Sequence, residues 1–344
     1  METVFVHIDS SIFIGKNFNF SGSDFKALVE WAKEDKIKII LTSITVEEVQ
    51  SNISKAIDKS IQAIRKARKE ARILKNLPLS IFTELDYSEL EKEILGQFQK
   101  FINDSKADVL SLSDVDADHV FRLYFEKKAP FGLGKKKFEF PDAFILAAIS
   151  LESEQESSPV YVISADKDFA AATENFKGVI CIDSLEKYLS LVASHYEELA
   201  PLVTKLMEEN QKNIKDAIKD QFLELGFYLG DQQGEVYDVK VNEIWGLEGY
   251  LISINNEIAT FELTPTIEYT ASISYDDLDT ATYDSEDKVL IPWRKIDTEV
   301  QRSEILQVDM TIAFSPSDRS IFEIDEIEIM SPRQDVEVIA VDDE

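Results

Sequence analysis

Val4-Phe5-Val6-His7-Ile8-Asp9 is a run of five mostly apolar residues stopped by an acid. A short run without polar alternation is the pattern of a parallel strand covered on both faces. Ile37 to Leu41, Val160-Tyr161-Val162-Ile163 and Val179-Ile180-Cys181-Ile182 are further runs of this kind. Segments of helical period lie between them. Ser23 and Asp24 are placed to cap a helix whose Phe25, Leu28, Val29 and Ala32 form one stripe. Thr45 followed by Glu48 matches a capping box for a helix running on through Val49, Ile53 and Ile57. Pro141-Asp142 opens a helix containing Phe144, Ile145, Ala148 and Ile149, since proline is tolerated in a first turn. Strands alternating with helices predict an α/β domain on a parallel sheet.

The chain has 344 residues, enough for about two domains. Its hydrophobic content is 44%, and Gly and Pro number only 11 and 9, which excludes a fibrous or disordered chain. One cysteine and three histidines (His7, His119, His195) exclude a disulfide scaffold and a Cys/His zinc cluster. Cys181, between two isoleucines, reads as a buried strand residue, and His7 and His119 read as structural. No apolar run reaches a membrane span, and the opening residues do not read as a signal peptide. The expectation is a cytoplasmic protein without membrane contact.

The net charge of −30 is unevenly spread. Residues 1–220 hold 29 basic against 37 acidic side chains, whereas residues 221–344 hold 7 against 29. The period changes at the same place. Residues 52–77 and 88–103 read as long helices, and Leu185 to about Leu225 as a helical connector interrupted near Pro201. Beyond it, Val236 to Val241, Leu251 to Ile254, Ile267 to Tyr275, Ile305 to Phe314 and Ile321 to Ile329 read as strands. Asn255-Asn256 is a candidate hairpin turn. The expected product is an antiparallel sandwich or open barrel of six to eight strands.

Side chains just beyond the carboxyl ends of parallel strands converge on one edge, where active sites form. Asp9, Asp142 and Asp166 occupy such positions, and Glu48 sits one turn into the helix after the second strand. Taken alone, Asp142 is explained by helix capping and Glu48 by its capping box, whereas Asp9 ends a run whose apolar majority should be buried. Together they are costly: two carboxylates 4 Å apart repel by roughly 4 kcal/mol at an effective dielectric near 20. A divalent ion relieves that repulsion, and all-oxygen ligands suit Mg²⁺ or Mn²⁺.

Asp9-Ser10-Ser11, Thr45-Val46-Glu47-Glu48, Phe140-Pro141-Asp142-Ala143 and Ser164-Ala165-Asp166-Lys167-Asp168-Phe169 together resemble the PIN-domain nucleases, in particular the larger bacterial PIN-like proteins with a helical insertion before the third acid. The resemblance implies a three-layer α/β domain over residues 1–190, with a parallel sheet and a helical insertion at about 58–125. Residues 191–225 would then be the connector and residues 226–344 an acidic, antiparallel all-β domain. It implies that Asp9, Glu48, Asp142 and Asp166 hold Mg²⁺ or Mn²⁺. Ser10 or Ser11, Ser164 and Asp168 would support them, with Glu47 as the alternative to Glu48. Ser164 replaces the family's usual threonine.

RNA is the substrate the resemblance implies. Lys59, Arg65, Lys66, Arg68, Lys69, Arg72 and Lys75, with Lys127-Lys128 and Lys135-Lys136-Lys137, supply charge that can hold a phosphate backbone. Lys66, Arg68, Lys69, Arg72, Lys135, Lys136 and Lys137 are the chosen substrate contacts; a solvated mixed-charge face is the plain alternative. Gly132-Leu133-Gly134-Lys135 lacks P-loop spacing and reads as a loop near the site entrance. Three functions stay open: a metal-dependent endoribonuclease, a non-catalytic PIN-like binding module, and a structure-specific DNA nuclease. The acidic domain reads as a solubilising or homo-oligomerising module. A second reading makes it a restraint on a toxin-like or anti-phage nuclease, released by a regulatory partner. Asp276-Asp277-Asp279 and Asp284-Glu286-Asp287 read as a solvated acidic loop rather than a calcium site.

Overall fold

The computed structural model of the chain describes residues 4–76, 87–194, 199–230, 232–255, 257–284, 289–316, 318, 321–330 and 335–340. It falls into two units, Met1–Leu189 and Ser190–Glu344. The first begins with β1 (Val4–Ile8), α1 (Ser10–Gly15), α2 (Ser23–Lys33), β2 (Ile37–Thr42) and α3 (Ser43–Glu70). It continues through α4 (Tyr87–Asp104), β3 (Asp108–Leu110), α5 (Ala117–Glu126), α6 (Phe140–Glu156), β4 (Val160–Ile163), α7 (Lys167–Ala172), β5 (Val179–Ile182) and α8 (Leu185–Ser194), the last running into the second unit.

All five strands are parallel, in the order β3-β2-β1-β4-β5. The chain steps from β1 outward through β2 to β3, then returns to place β4 on the other side of β1. That reversal leaves a crevice at the carboxyl ends of β1 and β4, the usual ligand position in such sheets. On one side, Phe5, Ile40, Val160 and Val162 pack with Val120, Leu123, Ile145, Leu146 and Ile149 from α5 and α6. A separate aromatic cluster joins α1, α2 and α4: Phe13 stacks on Phe25 at 5.4 Å and meets Phe98 and Phe101 edge-on at 5.5 and 5.8 Å. These buried rings pin α1, and with it the turn at Asp9.

Several local expectations need correction. The helix expected to start at Thr45 starts at Ser43, capped by Thr42, whose hydroxyl accepts from the Thr45 amide at 3.1 Å. Gly22, not Ser23 or Asp24, occupies the cap position of α2. The segment read as a purely helical insertion also supplies a strand, β3, hydrogen-bonded to β2. Cys181 is half-buried rather than buried, because β5 is an edge strand.

The second unit holds α9 (Ala200–Glu209), α10 (Gln211–Leu223) and the strands β6 (Gly226–Leu229), β7 (Gly234–Trp245), β8 (Gly249–Ile254), β9 (Ile258–Leu263) and β10 (Thr266–Asp276). There follow β11 (Thr282–Asp284), β12 (Val289–Ile291), β13 (Lys295–Ile305), β14 (Val308–Phe314), β15 (Phe322–Ile329) and β16 (Asp335–Val338). Antiparallel sheets run β13-β10-β7 and β15-β14-β9-β8, and β11 and β12 form an antiparallel pair. Ile305 ends β13 instead of starting β14. The pair β6-β16 is parallel, against the all-antiparallel expectation. Asn255 shapes the β8–β9 turn by accepting from the amides of Glu257 and Ile258, while Asn256 lies outside the described residues, as do His195, Glu286 and Asp287. No helix among the described residues is long and apolar enough to cross a membrane.

Candidate active site

Asp9 follows β1 directly and caps α1: its Oδ2 accepts from the Ser11 amide at 3.2 Å and from the Ser11 hydroxyl. Ser164, just past β4, donates its hydroxyl to the same oxygen at 3.0 Å. The Asp9 amide donates to the carbonyl of Ile163 at 3.0 Å, and the Ala165 amide to Ser11 Oγ at 3.2 Å. The ends of β1 and β4 are thus laced together across the crevice, and one carboxylate oxygen of buried Asp9 is fixed from three donors. His7, fully buried, lies below: Nδ1 meets the Ile40 carbonyl at 3.1 Å and Nε2 the Thr45 hydroxyl at 3.4 Å. Burial holds its pKa down at about 4, so it is neutral and structural.

Asp166 caps α7, accepting from the amides of Asp168 and Phe169 at 2.7 and 3.5 Å. Asp168, expected to support the acids, pairs instead with Lys136 at 2.7 Å at the surface. Asp142 stands in the first turn of α6, where Pro141 is tolerated. Glu48, half-buried on α3, accepts from Ser10, while Glu47 is exposed.

Asp9, Glu48, Asp142 and Asp166 all line one cavity of about 550 Å³, with Ser10, Ser11, Glu47, Ser51, Asn52, Lys55 and Glu139 also in its wall. Burial pushes the Asp142 carboxyl up to about 8, reinforced by the charges of Glu139 and Asp9, a hydrogen bond with Glu139, and the charge of Glu48. Glu48 is raised by burial first and by Asp9; Ser10 and Lys55 oppose the shift. These carboxylates feel one another, and protonation is how the protein alone relieves their repulsion. A hard divalent cation fits the donor set, which is all oxygen and anionic. Sequence reasoning misses Glu139 and Lys55, although both carry a signal. Glu139 lies three residues before Asp142, and Lys55 two turns after Glu48 on the same helical face.

The expected substrate contacts are more scattered. Lys66 and Lys69 are exposed on α3, Arg68 is half-buried on another face of that helix, and Arg72 lies beyond its end. Lys136 is engaged with Asp168, and Lys137 sits over the Phe138 ring at 4.7 Å. The side chain of Lys135 lies outside the described residues.

No curated protein matches this sequence. A chain from the crystal structure of VapBC2 from Rickettsia felis, bound to a DNA fragment from their promoter, is similar over 52% of this chain and 98% of its own, at 13% identity and a TM-score of 0.29. A family model described as the PIN domain matches from the second half of β1 to Phe169 in α7, a span containing all four acids. PIN domains are typically metal-dependent nucleases. Residues 6–169 of this chain are thus similar to the PIN domain.

Proposed function

We propose that the chain is a divalent-metal-dependent endoribonuclease. The observation that carries this reading is the convergence of four carboxylates, from four separate segments, on one cavity at the sheet's reversal point. Asp9, Asp142 and Asp166 would hold Mg²⁺ or Mn²⁺, and Glu48 would ligate it or orient the attacking water. The bound ion supplies a water of lowered pKa and neutralises charge building on the phosphate oxygens. Ser11 and Ser164 keep Asp9 aimed by occupying its Oδ2, which leaves Oδ1 for coordination. Ser10 plays the same part for Glu48. Lys55, in the cavity wall, would neutralise the phosphate that approaches this acidic surface.

RNA cleavage in the cytoplasm by a toxin-like or anti-phage enzyme is the physiological form of the proposal. Restraint by the acidic second unit belongs to it, and predicts that a folded protein lacking residues 226–344 cleaves faster. The primary test is cleavage of labelled RNA and of branched DNA with Mg²⁺, Mn²⁺ or EDTA, with Asp142→Asn as control. RNA cleavage that needs the metal and Asp142 is expected. Branched DNA cut at least as well as RNA would move the assignment to a DNA nuclease; no divalent-dependent cleavage would leave a binding module.

A further inference from the structure

The exposed face of α3 carries a pattern that the cavity does not use up. Glu48, Ser51 and Lys55 line the cavity, and at about 100° per residue Lys59, Gln62, Lys66 and Lys69 fall on the same face, all within an arc of about 80°. Lys55, Lys59, Gln62, Lys66 and Lys69 are all exposed, whereas Val49 and Ile53 on the inner face are buried. Asp58 and Glu70 flank this row at its margins. Glu70 meets Lys66 at 3.9 Å, an exposed pair of little strength that a phosphate can displace. From Lys55 to Lys69 the row runs about 21 Å, room for up to about six phosphates at a stacked spacing of about 3.4 Å.

We propose that this face of α3 is a track for one single-stranded polynucleotide backbone, with Lys55 as the contact nearest the carboxylates and Lys59, Lys66 and Lys69 continuing it outward. The inference rests on the nuclease reading for what occupies the cavity, but the track itself stands on charge, exposure and helical phase. It also sorts the basic residues of this region. Arg68 projects to the opposite side of the helix and is not on the track. The backbone reaches the acidic cavity from one side only, so bound strand extends from the cavity along α3 in a single direction.

The test is fluorescence anisotropy of the full chain with a labelled twelve-nucleotide single-stranded RNA, and the matching DNA, in EDTA from 50 to 200 mM salt. Each phosphate contact contributes about 0.7 to the slope of log affinity against log salt. The variant with Lys55, Lys59, Lys66 and Lys69 all changed to Gln should lose about 2.8 of slope. Over that salt range the native protein should therefore weaken about 50-fold more than the variant. Lys55→Gln alone should lose about 0.7, which keeps the test valid if the fourfold variant misfolds. Changing Lys26, Lys33, Lys92 and Lys100 to Gln removes the same charge from other helices and should leave the slope unchanged. Equal slope loss in both fourfold variants, or no binding by the native chain, overturns the track. Native binding with the expected slope loss, but without metal-dependent cleavage, upholds the track and refutes the nuclease. Cleavage with an unchanged slope does the reverse. DNA bound as well as RNA supports recognition of the phosphate backbone, as does a preference for RNA, which adds contacts to the 2′-hydroxyl.

Discussion

Changing Asp142 to Asn should stabilise the metal-free protein while abolishing its cleavage. In the folded chain the Asp142 carboxyl titrates at about 8 instead of 3.8, because it is partly buried beside Glu139, Asp9 and Glu48. In the unfolded chain it ionises at its ordinary value. The folded state therefore retains a proton between pH 3.8 and 8 that the unfolded state releases, and its stability falls as pH rises through that window. At about 1.4 kcal/mol per unit, the cost at pH 7 is on the order of 4 kcal/mol. Solvent in the open cavity softens this, so asparagine should gain about 1–3 kcal/mol at pH 7. The assay is urea denaturation of both proteins in EDTA at pH 5, 6, 7 and 8. His7 is common to both proteins and cancels in the comparison, so the difference between them should grow as pH rises from 5 to 8. Adding Mn²⁺ should reverse the order, stabilising the native protein and not the variant. An Asp142→Asn protein no more stable at pH 8 than at pH 5, relative to native, would refute the electrostatic argument.

Other consequences are as direct. His7 is held neutral in the fold, with a pKa lowered to about 4 from 6.5. Its contribution is complete above pH 6.5 and is lost as pH falls toward 4, by up to about 3 kcal/mol; the His7→Gln protein should show a flatter acid limb in the same denaturation series. Ser164→Ala removes a 3.0 Å hydrogen bond that aims Asp9 across the β1–β4 crevice. Mn²⁺ affinity by calorimetry should drop about 10- to 100-fold with the fold intact, and Ser11→Ala should act alike. Unchanged affinity in both would remove the serines from the account.

The strand-end acids were legible because β1 and β4 are apolar runs that stop at polar residues, and in a parallel sheet that stop is a position in space. What the sequence hid has physical causes. Asp108-Val109-Leu110 makes only three residues of strand, and only Leu110 is even half-buried, so no apolar run marks it. The six residues of α1 are too few to show a helical period, though Asp9 and Ser11 hold its cap. Lys295 to Ile305 alternates in burial once paired with β10, but only Ile296, Val300 and Ile305 of it are apolar, so no strand stands out there from the sequence. The parallel pairing of Gly226–Leu229 with Asp335–Val338 joins segments more than a hundred residues apart, which no local pattern encodes. In the site, capping logic placed Glu48 correctly on its helix but started that helix at Thr45, because Thr42 lies at the end of an apolar strand and so does not stand out as a cap.

The most direct measurement is anomalous diffraction from a crystal soaked in millimolar Mn²⁺. Manganese should be coordinated by carboxylate oxygens of Asp9, Asp142 and Asp166, with Glu48 on the ion or its water, and no such peak should appear in the Asp142→Asn protein. Manganese absent from this cavity, or found only on other acids of the chain, would contradict that assignment.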